Sequence, residues 1–226
     1  MGLFIKAMLL WSLEIHLKWR SHVSVPPPAP PSTPPSSPQD QSAKIWSVKS
    51  SKEIFKTNFY RLRSDQCELP SGKIMPNYYV MEFPDWVNVV ALTPEDRVIM
   101  IEQYRHAIGK TTLEFPGGTA TPGAGEPAEK AALRELREET GYLPEEIRLV
   151  GKHRPNPALQ NNSMHTFVAL GCVPDGPQEL DPFEDIKVVT MSLQEVINAA
   201  FDGRIEHSLM IASLFQALRF LGFHLP

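Results

Sequence analysis

Short apolar and β-branched runs fill the chain from Ile45 to Tyr104, and helical periods appear only after it. Phe59 to Cys67, Ile74 to Phe83, Trp86 to Leu92 and Val98 to Tyr104 are predicted as strands. The period then changes. Pro127 suits a first helical position, Ala128, Ala131, Ala132, Leu133 and Leu136 are strong helix formers, and Gly141 followed by Pro144 ends the element. Further strands are predicted near Ile147 to Lys152, Met164 to Gly171 and Ile186 to Thr190, and helices over Leu193 to Phe201 and His207 to Leu221. This mixture predicts an α+β fold, with helices flanking a mixed sheet.

The helix after Pro127 carries an unusual polar face. At ~100° per residue, Glu135 and Glu139 share a stripe with Ala128 and Ala132, Glu138 lies on its flank beside Ala131, and Leu133, Leu136 and Thr140 form a separate, core-facing sector. The alanines read as room for a ligand to approach. Arg134 with Glu138 and Glu126 with Lys130 could make ordinary pairs, but Glu135 and Glu139 are like charges at i,i+4, which costs about 0.2–0.5 kcal/mol. A hard divalent cation reverses that sign, so the pattern favours metal binding over a plain solvated face.

Glu126-x7-Arg134-Glu135-Leu136-x-Glu138-Glu139-x-Gly141-Tyr142 resembles the signature of the Nudix hydrolases, Gly-x5-Glu-x7-Arg-Glu-U-x-Glu-Glu-x-Gly-U with U bulky and apolar. One departure stands out: Ala120 occupies the place of the first glycine, and Thr121-Pro122-Gly123-Ala124 reads as a turn lengthened by two. The resemblance covers Trp46 to Leu221. It implies a Nudix fold of α/β/α layers around a mixed sheet, with an additional small N-terminal antiparallel sheet that pairs two subunits. It also implies Mg²⁺ or Mn²⁺ as cofactor. Glu135 and Glu139 become its ligands, Glu138 a third or water-mediated one, a backbone carbonyl near Gly117 or Gly118 the remaining donor, and Glu126 with Arg134 the brace between loop and helix.

Gln103-Tyr104-Arg105 followed by Leu113-Glu114-Phe115-Pro116-Gly117-Gly118 is similar to the branch that hydrolyses ADP-ribose and nucleoside diphosphate sugars. That likeness points Arg105 at the diphosphate, which a guanidinium grips bidentately, against an ion pair with Glu102 or Glu114. Glu114 reaches the metal or ribose, or anchors the loop. Asn161 and Asn162 lie in an amide-rich loop that reads sugar hydroxyls or simply caps its own turns. His165 is either a substrate contact or a satisfied structural histidine. Trp86, with Trp46 and Tyr79, is a candidate for base stacking, a dimer contact or the core. For the general base the resemblance points to the loop before Ile186, where Glu184 is the choice and Glu179 and Asp181 the alternatives. Hydrolysis would release a nucleoside monophosphate and a sugar phosphate. Triphosphate or dinucleoside polyphosphate hydrolysis and non-catalytic nucleotide-sugar sensing are the competing functions.

Composition sets the frame. Residues 1–25 form an apolar segment interrupted by Lys6 and Glu14, too short and too charged for a clean span, 26–43 a linker with eight prolines, and 44–226 the catalytic domain. A net charge of −4 without a basic run argues against nucleic acid. Two cysteines, Cys67 and Cys172, fit a reducing, cytoplasmic setting, and the expected assembly is a homodimer acting on a small molecule.

Overall fold

The computed structural model describes residues 45–120 and 125–223, and the elements below all lie within Trp46–Leu221. The apolar segment and linker expected over 1–43, and the lengthened turn over 121–124, lie outside the described residues.

Three antiparallel strands, β1 (Ser47–Lys56), β2 (Arg61–Glu68) and β3 (Ile74–Glu82), form a meander of order β1-β2-β3. β1 is not predicted by its pattern, because every residue in it is exposed and no face is apolar. It is a strand through its ladder to β2 alone. Between them Thr57 makes the turn, its hydroxyl accepting from the Phe59 and Tyr60 amides, so the strand predicted from Phe59 starts at Arg61.

The main sheet contains β4 (Trp86–Leu92), β5 (Arg97–Arg105), β6 (Lys110–Glu114), β7 (Gly117–Thr119), β9 (Glu146–His153), β10 (Met164–Leu170) and β12 (Ile186–Ser192). Its path runs β12-β5-β4-β10-β9, with β6 on β5 and β7 on β4. Only β4 and β10 are parallel; the other pairs are antiparallel. Two short strands, β8 (Tyr142–Leu143) and β11 (Val173–Pro174), pair apart from it.

Helices cover both faces, as alternation along β4 requires. Val87, Val89 and Ala91 pack with Ile99, Phe167, Ala169 and Cys172 against Ala131, Ala132 and Leu136 of α1 (Ala128–Thr140). Asn88, between them, points to the other face and donates to the Ser213 hydroxyl of α3 (Ser208–Phe220) at 3.1 Å. The remaining helix, α2 (Leu193–Phe201), follows β12 through a capping box of Ser192 and Glu195. The fold is therefore α+β, with α/β/α layers and a separate small antiparallel sheet. Among the described residues no helix is long and apolar enough to cross a membrane.

Two local expectations change. Ala131 and Ala132 are fully buried, so their small side chains bring α1 down onto the sheet and leave no room for a ligand. Pro127 sits one position earlier than expected, at the cap, with ψ 141°.

Candidate active site

Local chemistry fixes where α1 begins and ends. Gly141 closes it at φ 75°, a left-handed conformation that suits glycine, with its amide on the Arg137 carbonyl. Midway along the helix stands Arg134, whose guanidinium donates to Glu126 at 3.2 Å, Glu138 at 2.9 Å and the Thr119 carbonyl of β7 at 3.1 Å, and lies 3.0 Å from Glu135. Burial pulls against its charge, but the hydrogen bond to Glu126 and the charge of Glu135 raise its pKa. The Glu126–Arg134 pair is thus the physical tie between loop, β7 and helix.

Beside Arg134, α1 lies against the two glycines of β7. The Gly117 amide donates to Glu139 Oε2 at 2.7 Å, and a methyl group at Gly118 would stand 2.6 Å from the Glu135 carboxylate. Glu139 is 3 % exposed. Burial pushes its pKa up to about 8 against the Gly117 hydrogen bond, with Glu135 and Glu184 adding to the rise. Burial raises Glu135 too, despite Arg134, with Glu138 and Glu184 contributing.

One arginine thus faces Glu126, Glu135 and Glu138, while among the described residues Glu139 makes no ion pair and feels only the more distant charge of Arg105, which Glu114 already holds. Among the described residues no three acidic, histidine or cysteine side chains stand as a closed ligand set, because Arg134 lies between Glu135 and Glu138. The donors are nevertheless all hard carboxylate oxygens in negative excess, which fits Mg²⁺ or Mn²⁺. Glu135, Glu138 and Glu139 are the residues that would hold it.

A pH dependence follows. Ionising buried Glu139 costs the metal-free fold, so its contribution to stability is whole below pH 4.5 and is lost as pH rises through about 8. Added Mg²⁺ should therefore raise the melting temperature of chelator-treated protein more as pH rises across that window, and its binding should release protons. A pH-independent gain would contradict this.

Arg105 meets Glu114 in a two-pronged pair, Nε to Oε1 at 2.8 Å and Nη2 to Oε2 at 2.7 Å. Glu114, 1 % exposed, also accepts from Thr112 at 2.6 Å and lies 3.4 Å from His207 Nδ1. Burial opposes its charge, but Arg105, His207 and Thr112 hold it far below the usual carboxylate range. Glu114 is thereby the anchor of Arg105 and its loop. Arg105→Ala should cost on the order of 2 kcal/mol of stability, less than a fully buried pair because Arg105 is half-exposed and Thr112 remains. Because Glu114 titrates far below its ordinary value, the pair stabilises fully above that value; the loss should shrink as pH falls below it and vanish only once pH passes the lowered titration of the folded state. Denaturant titrations at neutral and acid pH read this; an unchanged midpoint at neutral pH would show the pair to be inert.

Asn161, Asn162 and His165 gather on the link between β3 and β4. Asn161 Oδ1 accepts from the Phe83 amide at 3.3 Å, and Asn162 Nδ2 donates to the Pro84 carbonyl at 3.1 Å. His165 Nε2 is 2.9 Å from Asp85 Oδ2, and the Ser163 amide donates to Oδ1 at 2.7 Å. Against burial, those two contacts keep the Asp85 carboxyl below its usual range. These residues latch the link, and the Asp85 carbonyl in turn accepts from Ala120 beside β7. Trp86 continues a partly buried aromatic series, 5.4 Å from Phe83, which stacks on Tyr60 at 5.3 Å.

Glu184 closes a turn with Asp181, its amide on the Asp181 carbonyl at 2.9 Å and its carboxylate accepting the Asp181 amide at 3.0 Å. Its charge acts on Glu135, Glu139 and Arg105. Glu179 instead pairs with Arg137. Asp85, His207, Arg137 and Gln178 are not marked by the sequence: their partners lie 38 or more residues away or are backbone carbonyls.

A family profile described as the NUDIX domain matches residues 83–214, and one for the nucleoside diphosphate sugar hydrolase N-terminal domain matches 46–81. The chain is 30 % identical over 174 residues to a methanol dehydrogenase activator of Bacillus methanolicus, covering 76 % of this chain and 92 % of that one. It is 28 % identical over 176 residues to an ADP-ribose pyrophosphatase of Bacillus subtilis (75 % and 94 % covered), and 30 % over 166 residues to one of Mycobacterium tuberculosis (73 % and 79 %). A crystal structure of an ADP compounds hydrolase shares the fold, with a TM-score of 0.71 at 22 % identity, covering 80 % of this chain and 97 % of that one.

Proposed function

The chain belongs to the NUDIX family of hydrolases, and from that premise we propose that it is a divalent-metal-dependent pyrophosphohydrolase cleaving the diphosphate of ADP-ribose or a nucleoside diphosphate sugar. The observation that carries this reading is Glu139, a nearly buried carboxylate held on the Gly117 amide next to Glu135 and in no ion pair among the described residues. Relatives named for ADP-ribose support the choice of substrate.

When bound, Mg²⁺ or Mn²⁺ supplies Lewis-acid charge for the diphosphate oxygens. The chain's own residues do the rest. The rigid helix α1 fixes the carboxylates, Arg134 ties that helix to β7, and Arg105, anchored by Glu114, turns its remaining N–H groups toward the substrate phosphates. Glu184 takes the proton of the attacking water as the P–O bond to the bridging oxygen breaks, giving a nucleoside monophosphate and a sugar phosphate. Asn161, Asn162 and His165 act by latching the substrate-side link, with Trp86 as the stacking surface for a base.

The test is phosphate-coupled turnover of the full chain with Mg²⁺ on ADP-ribose, GDP-mannose, UDP-glucose, ATP and a diadenosine polyphosphate, with Glu139→Gln as control. Mutant-sensitive cleavage of the sugar diphosphates is expected. Cleavage of ATP or the dinucleotide alone moves the reading to those substrates, and binding without cleavage makes the chain a sensor. The exposed Val48, Phe55 and Tyr79 of the N-terminal sheet support a homodimer, which sedimentation equilibrium would refute by finding a monomer. Two buried free cysteines support a cytoplasmic setting.

A further inference from the structure

The C-terminal end of α1 is capped by an unexpected partner. The last carbonyls of a helix lack intrahelical donors. Here the Glu138 carbonyl accepts from the Glu179 amide at 2.8 Å, the Glu139 carbonyl from Gln178 Nε2 at 2.6 Å, and the Gly141 carbonyl from the Asp175 amide at 2.8 Å. Those donors all come from the segment leading into the Glu184 loop.

Two side chains complete the attachment. Arg137 donates to Asp175 at 2.7 Å and to the Pro177 carbonyl at 2.9 Å, and it pairs with Glu179 at 3.2 Å. Gln178 Nε2 also donates to the Ile186 carbonyl at 3.1 Å. It therefore joins both ends of the loop over residues 179–185 to the backbone of Glu139. Within that loop the Asp181–Glu184 turn sets the direction of the carboxylate. The family signature leaves the position of Arg137 open, so the signature does not account for this contact.

We propose that Gln178 and Arg137 are positioning residues, which dock the Glu184 loop on the same helix that carries Glu135 and Glu139 and so set the reach of Glu184. The inference rests on Glu184 being the base. A purely structural role would give something different, because exposed ion pairs and partly solvated hydrogen bonds add little to stability. A misplaced catalytic group, by contrast, loses rate steeply, up to ~10²-fold for a displacement of about 1 Å.

The experiment measures kcat, KM, melting temperature and amide hydrogen exchange for Gln178→Ala, Arg137→Lys, Glu184→Gln and the Gln178→Ala/Glu184→Gln double variant, using the panel compound turned over fastest. Arg137→Lys keeps the charge and the helix propensity while losing the fork, which guards against a variant that fails to fold. Glu184→Gln should lower kcat by roughly 10²–10³-fold. Gln178→Ala should lower kcat by about tenfold or more with KM nearly unchanged, and amides over 179–185 should exchange faster. In the Glu184→Gln background, Gln178→Ala should cost almost nothing further. Losses that multiply in the double variant, or unchanged exchange in Gln178→Ala, overturn the inference while leaving Glu184 as base. Full activity of Glu184→Gln overturns the base assignment itself, and the inference with it.

Discussion

Glu139→Gln is expected to lower turnover by ~10³-fold or more while leaving the fold as stable as before, since a bound metal supplies several kcal/mol and each 1.4 kcal/mol is tenfold. The substitution keeps the shape of the side chain, and the amide oxygen can still accept from Gly117 as Oε2 does at 2.7 Å. What it removes is charge. That charge is costly in the metal-free protein, because Glu139 is buried beside Glu135 and Glu184 and its pKa stands at about 8. Near neutral pH the native side chain is thus largely protonated without metal, and a neutral amide replaces it at little cost. The variant should also lose most of the melting-temperature gain that Mg²⁺ gives the native chain, since ligand binding to the folded state alone raises stability. The checks are kcat at saturating Mg²⁺ and melting curves with and without chelator. A variant that unfolds readily yet keeps its rate would make Glu139 a structural residue and remove the metal reading.

The Glu139 helix was legible because its signal is local: Pro127, the alanine and leucine spacing and Gly141 all lie within one element. β4, β5 and β10 were legible for the same reason, since runs of buried apolar residues mark them, and β12 through the β-branched content of Ile186, Val188, Val189 and Thr190, although only Ile186 of them is buried. β1 was not, because its ten residues are all exposed and only the ladder to β2 makes them a strand. Side-chain partners proved harder to read than elements. Arg105 and Glu114 were both singled out, but only the β5–β6 pairing shows that they hold each other. Ala131 and Ala132 share the carboxylates' helix, and spacing alone could not say whether their small size served a ligand or the sheet. Arg137 and Gln178 bond backbone carbonyls, and a carbonyl leaves no trace in residue type.

The same substitution at two adjacent glycines should separate fold from chemistry. A Cβ at Gly117 would overlap the Val87 carbonyl oxygen and lie 2.9 Å from Asn88 Cα, both backbone atoms of the central strand β4. Backbone in a ladder cannot yield to one methyl group, so Gly117→Ala should destabilise by about 1–3 kcal/mol or more, as overpacking does. In a domain of this size that is roughly 2–4 °C in melting temperature per kcal/mol. A Cβ at Gly118 would instead meet the Glu135 carboxylate at 2.6 Å, the far end of a flexible side chain. Glu135 can swing away, so Gly118→Ala should fold nearly as well as the native chain. It should also lose roughly 10–100-fold in metal affinity, the range for disturbing a ligand's support. Melting curves and Mg²⁺ titrations of both variants decide the matter. If Gly118→Ala binds Mg²⁺ as the native chain does, Glu135 is not a ligand; if Gly117→Ala melts unchanged, β7 does not lie as closely on β4 as this geometry requires.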